Sequence, residues 1–214
     1  MKRTTFFVIC ILVLNSLICA QDNIETNMFK LDLAKNALKA KKYSQALLYV
    51  QEVTEELRLV QKKMVTAFFP AQIEGFIYEE DANYQIGTFE NQTADSDILF
   101  SRQYIKNTET HTSSIDVNVV FSDPSIQEYI ALVNKPELLQ NLQDDSLQTS
   151  IIKVNEVYAA LEKISEDEKY YERNIVVNEN TLLNVIGHDL ESSEALDLFC
   201  QKINIVGLDN FLKN

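Results

Sequence analysis

From residue 24 to about residue 67, apolar positions recur every three or four residues, the period of a helix with one buried side. Leu31, Ala34 and Leu38 share one side of the first segment, with Phe29 near it. The pattern breaks at Lys41–Tyr43 and resumes with Ala46, Leu47, Val50, Val53, Leu57 and Val60. No Gly or Pro interrupts either arm before Pro70, so the reading is an αα-hairpin. At "FFPAQIEGF" the character changes, because Pro70 ends a helix and Gly75 permits a turn.

Period-two alternation follows. "NYQIGTFEN" (Asn83–Asn91) alternates through Tyr84, Ile86 and Thr88. Asp97–Asn107 places Phe100, Arg102 and Tyr104 on one side and Leu99, Ser101, Gln103 and Ile105 on the other. Ser113–Asp123 turns Ile115, Val117, Val119 and Phe121 inward and Asp116, Asn118 and Val120 outward. With "NTETHTS" as a polar connection, these segments predict an antiparallel meander with one wet face. "SDPSIQEYIALVN" then starts a helix: Ser122 or Asp123 caps it, Pro124 suits its first turn, and Ile126, Ile130 and Val133 form its apolar side. Pro136 stops it, and "KPELLQNLQ" reads as a further short helix.

"LQTSIIKVNEVYAALEKIS" reads as two strands, Thr149–Val154 and Val157–Ile164, around "NE", although propensity alone also allows a helix over "NEVYAALEKI". Two more strands, in "YYERNIVVNEN" and "TLLNVIGHDL", meet at a turn. The chain closes on a helix capped by Ser192, with Glu194 in its first turn and Leu196, Phe199, Cys200 and Ile203 inward, and a last turn at Leu208–Leu212. Hairpin-connected strands argue for the α+β class. The expected architecture is an N-terminal αα-hairpin packed on an antiparallel sheet of about six or seven strands, with two further helices. Residues 21–68 form the hairpin and 69–214 an α+β domain compact with it.

"NALKAKKYSQALLYVQEV" resembles the centre of a tetratricopeptide repeat, with Ala37, Leu38, Tyr43, Ala46, Leu47 and Tyr49 standing where that pattern places small and aromatic residues. The likeness covers about 25 residues and has no second copy about 34 residues along, so it implies one hairpin rather than an array. The order of elements also resembles a loose group of small exported bacterial proteins of unknown function. "YSQALLYVQEV", "IDVNVVFSD", "NTLLNVIGHD" and "INIVGLDNFL" carry that likeness. It implies a fold and transfers no catalytic residue.

The N-terminus adds a compartment. Lys2 and Arg3, the apolar run Phe6–Leu14 and a small residue at Ala20 have the layout of a cleaved secretory signal covering residues 1–20. The apolar run is short for a membrane anchor, and Cys19 after Leu17 and Ile18 is the lipoprotein alternative. Localisation is therefore expected to be periplasmic or secreted. Removing 20 of 214 residues leaves 194 and takes away Lys2 and Arg3 but no acid, so 17 basic residues face 32 acidic ones, a net −15. Such charge disfavours nucleic acid and anionic lipid and suits solubility and a basic partner. Only Cys200 of the three cysteines remains after cleavage, so no internal disulfide forms.

Chemistry is sparse. Gly75, Gly87, Gly187 and Gly207 are isolated, so there is no phosphate-cradling loop, and no GxSxG elbow is present. His111 reads as a loop-tip residue. His188 beside Asp189 has poor geometry for a His–Asp pair, since neighbours on a strand point to opposite faces. Cys200 reads as a buried apolar residue. The acidic clusters Glu79–Asp81, Asp144–Asp145 and Glu166–Glu168 lack the alternation and Gly of a calcium loop. "NQT" at Asn91 is a glycosylation site only in a eukaryotic secretory route. No catalytic residue, metal ligand or cofactor is expected. The candidate binding residues are Phe100, Arg102 and Tyr104, if their strand face is open rather than packed under the hairpin. The leading expectation is a non-catalytic binding protein of a bacterial envelope, with another envelope protein as partner. The alternatives are a small hydrolase or ligand carrier with a pocket between hairpin and sheet, or a structural envelope component.

Overall fold

The computed structural model describes residues 24–78, 98–141 and 147–213. The expected signal segment, the strand expected at Asn83–Asn91 and the acidic groups at Glu79–Asp81 and Asp144–Asp145 lie outside them. The chain divides into two compact units, Met1–Val60 and Gln61–Asn214.

The first unit is the helix pair. Helix α1 spans 24–39, and α2 spans Tyr43–Val65, its last turn belonging to the second unit. Lys41 adopts φ 59° and Lys42 N–H donates to Ala37 O at 2.9 Å, so a left-handed residue closes α1. The helices meet through small residues: Ala34, Ala37, Ala46 and Val53 are buried. Lys30 bridges Glu56 at 2.6 Å and Glu52 at 3.2 Å along one side of the pair. The larger apolar residues expected inside are exposed, among them Leu31, Leu38, Leu47, Val50, Leu57 and Val60. The seam uses only the positions where a small side chain lets the backbones approach.

The second unit is an eight-stranded antiparallel sheet with three helices, so the α+β class holds with more strands than expected. Strands β1 (Gln72–Ile73), β2 (Phe76–Tyr78), β3 (Ile98–Asn107), β4 (Thr112–Phe121), β5 (Gln148–Val154), β6 (Tyr158–Ser165), β7 (Tyr170–Asn178) and β8 (Thr181–His188) lie in the order β1-β2-β3-β4-β8-β7-β6-β5. β1 and β2 are too short to show a period; Gly75 at φ +84° turns between them. The ambiguous segment is strand, and Asn155 and Glu156, both at positive φ, make the tight turn that fixes its register. Helices α3 (Ile126–Asn134), α4 (Ser193–Lys202) and α5 (Ile205–Lys213) complete the unit. The last is a full helix, not one turn.

Side chains on one sheet face form the core: Ile115, Val117 and Val119 of β4, Leu183 and Val185 of β8, and Ile175 and Val177 of β7. Leu196 and Phe199 of α4 and Ile205 and Leu208 of α5 join the same cluster. Gly187 has no side chain because the chain folds back over it: a Cβ there would lie 2.3 Å from Leu190 Cδ1. Gly187→Ala is therefore expected to overpack this corner and destabilise by about 1–3 kcal/mol. An unchanged melting midpoint would refute that packing.

Candidate functional site

Phe100, Arg102 and Tyr104 point to the core face, opposite Val119, Val117 and Ile115 of β4. They are 4%, 7% and 0% exposed. Phe69 stacks on Phe100 at 4.5 Å, Phe199 meets Tyr104 edge-on at 4.9 Å, and the Arg102 guanidinium lies 4.1 Å from the Tyr78 ring centroid. Arg102 also donates to Phe69 O, and Tyr104 OH to Pro70 O at 2.8 Å. These residues hold the segment after α2 against the sheet, and the face they occupy is closed to a docking partner.

The opposite face carries the polar chemistry. At its centre Ser101, Asn118, Asn184 and Asn174 stand in register on β3, β4, β8 and β7. Ser101 Oγ donates to Asn118 Oδ1 at 2.7 Å, Asn118 Nδ2 to Asn184 Oδ1 at 3.2 Å, and Asn184 Nδ2 to Asn174 Oδ1 at 3.0 Å. The row ends at Glu172, which is 8% exposed. Its Oε1 accepts from Asn174 at 2.6 Å and Asn184 at 3.4 Å, and its Oε2 from Tyr170 at 2.9 Å and Lys163 at 3.1 Å. Four donors thus answer one buried carboxylate.

Helix α3 packs over this row against β6 and β7. Asp123 Oδ1 accepts from Ser125 N–H at 2.7 Å just before its start, and Ser125, rather than the expected Ser122 or Asp123, stands at the N-cap, without a side-chain hydrogen bond. Tyr129 stands between two cavities. One, of about 80 Å³, is lined by Tyr129, Asp123, Glu172 and the three asparagines, with Ile98 and Leu182 among its apolar walls. The other, an open groove of about 240 Å³, runs between Glu128, Leu132, Leu147, Thr149, Leu161 and Lys163. Burial, then the nearby Glu172 charge, pushes the hydroxyls of Tyr129 and Tyr170 above the usual tyrosine value. Both stay protonated donors at neutral pH. The arrangement presents polar side chains to a small cavity.

His188 finds a carboxylate, though not Asp189: its Nε2 lies 3.5 Å from Asp116 Oδ2 across the β4–β8 pair. The hydrogen bond to Asp116 raises its pKa, and burial opposes that shift. Ser114 stands opposite His188 by register, but neither cavity includes His188. His111 sits in the β3–β4 turn, bonded to Thr108. Cys200 is buried, and burial pushes its thiol up to about 11. Arg173 is taken by Glu162 at 2.7 Å and Asp197 at 2.6 Å. Among the described residues no group of three His, Cys, Asp or Glu is placed to hold a metal ion.

Sequence reasoning missed Glu172, Tyr129 and the asparagine row. Asn118 was legible as an outward residue, but its partners depend on a strand order in which β4 meets β8 rather than β5. Compared with known proteins, the chain matches no family model, no curated protein and no solved structure.

Glu172→Leu is expected to cost about 3 kcal/mol or more in urea denaturation by leaving several buried donors unpaired, and Glu172→Gln about 1–3 kcal/mol. Equal midpoints for all three proteins would refute the hub. His188 has a raised folded pKa, so the stability it adds is complete below its ordinary value of 6.5 and fades as pH rises through the raised value. The melting difference between the native chain and His188→Gln should therefore shrink from pH 6 to pH 9, by a small amount because the side chain is 45% exposed.

Proposed function

We propose that the chain is a non-catalytic binding protein exported to a bacterial envelope or beyond, of the same plan as the small exported proteins its element order resembles. The observation that carries this reading is the helix pair. Two helices are held together by small residues, while Leu31, Leu38, Leu47 and Leu57 remain 43–69% exposed. An apolar surface of this kind is a contact surface in an exported, water-soluble chain. The saturation of the ionisable groups supports the same reading, since Glu172, Arg173 and His188 are each engaged with neighbours. Among the described residues no helix is long and apolar enough to cross a membrane.

A second reading, a small-ligand carrier, is favoured by the groove of about 240 Å³ beside Tyr129. It is smaller than the ~300–1,000 Å³ of ordinary ligand pockets, and its neighbouring Glu172 is already satisfied.

The binding reading predicts that the purified chain retains an envelope protein or a copy of itself, and that Leu47→Glu abolishes retention without altering the melting midpoint. Retention undiminished in Leu47→Glu, or an inert monomer, would overturn it. Export predicts a secreted form whose first residue is Gln21.

A further inference from the structure

We infer that the sheet takes an extended, basic segment of a partner protein as a further strand beside β5, with one apolar side chain of that segment seated in the groove next to Tyr129. The inference lies within the second unit and does not depend on the helix pair.

The backbone makes the first half of the site. β5 pairs with β6 without a register shift, from Gln148↔Ile164 to Val154↔Tyr158. Among the described residues no strand flanks β5 on its other side. In an antiparallel ladder every second N–H and C=O of such a strand faces away from its partner, which is what an added peptide strand uses. Gln148, Ser150 and Lys153 are exposed, and no Pro removes a donor.

The groove makes the second half. Side chains alternate along a strand, so Leu147 and Thr149 share a face with Leu161 and Lys163 of β6, where Thr149 stands opposite Lys163. Glu128, Tyr129 and Leu132 of α3 supply the other wall. The groove therefore lies at the same margin as the outward backbone groups. A strand added about 4.8 Å outside β5 carries every second side chain on this face, and only the short side chain of Thr149 stands between it and the three leucines. The volume of about 240 Å³ is small for a free ligand but ample for one large apolar side chain.

Charge selects the segment. Residues 66–214 hold nine Lys or Arg and 26 Asp or Glu, a net −17. Some of that charge flanks β5. Glu156 is exposed in the turn at one end, and Glu166, Asp167 and Glu168 are exposed in the β6–β7 turn beyond the other. Lys163 is drawn to Glu172 at 3.1 Å, whereas Glu128 adds a negative charge at the groove. Lys or Arg on either side of an apolar residue would meet these acids. A second copy of β5 would not, because antiparallel pairing sets Glu156 of one copy toward the acidic turn of the other.

Random nonapeptides displayed on phage and selected against the purified full chain test this. The selected sequences are expected to carry Lys or Arg around one large apolar residue and, as free peptides, to bind with micromolar dissociation constants. Binding should slow amide hydrogen exchange along β5, and N-methylation of every second peptide residue, in one of its two phases, should abolish it. Thr149→Trp, which fills the groove, should weaken binding at least tenfold, whereas Leu47→Glu on the helix pair should leave it unchanged. A library that yields nothing tighter than about 100 μM overturns the inference. So do acidic selected sequences, peptides that leave exchange along β5 unaltered, and equal affinity for Thr149→Trp. The exchange measurement uses the native chain and decides the question even where Thr149→Trp fails to fold. Loss of binding in Leu47→Glu would move the site to the helix pair, overturning this inference and leaving the binding reading standing.

Discussion

A carboxylate 8% exposed on the face of a sheet is tolerable only if its charge is answered, and Glu172 is answered four times. That constraint organises the second unit. Each donor comes from a fixed register position: Lys163 from β6, Tyr170 and Asn174 from β7, Asn184 from β8. A slip of one residue between β6 and β7, or between β7 and β8, would turn Lys163 or Asn184 to the apolar face and leave Glu172 with fewer donors. The amides of Asn184 and Asn118 extend the same requirement to β4, and Ser101 to β3. The polar face therefore specifies the pairing of the central strands, while the apolar face supplies most of the burial.

This division explains what the sequence disclosed. Alternation in Ser113–Asp123, and the turns at Asn155–Glu156 and Glu179–Asn180, are local signals, and the strands they imply are present. β1 and β2 have two and three residues, below the length at which alternation can be recognised. Asn118 looked like a wet-face residue because its partners lie 17 and 66 positions away. His188 and Asp116, 72 positions apart, became neighbours for the same reason, whereas the adjacent Asp189 did not pair. Phe100, Arg102 and Tyr104 shared a face as expected, but which face of an alternating strand meets the core is decided by the rest of the sheet.

The helix pair shows the opposite limit. Its helical period was plain, and so was the likeness of its small residues to a repeat motif. Period alone does not say which apolar positions meet the other helix. Ala34, Ala37, Ala46 and Val53 do, because small side chains set the distance of approach; the leucines beside them stay outside. Charge was likewise averaged away in the whole-chain value of −13, which hides a helix pair with more bases than acids beside a strongly acidic remainder.

The strand order leaves β5 at one margin of the sheet, seven residues long and, among the described residues, paired on one side only, with β6. Its outer backbone groups are a ready template for another strand. β5 reads "QTSIIKV", with two isoleucines together and a single charge at Lys153. The opposite margin, β1, is only two residues long and offers almost no such template. Protection against misassembly thus falls unevenly across the sheet. Lys153 is the one charged side chain on the longer margin, so its loss would tilt the chain from folding toward fibrous aggregation before native stability changed.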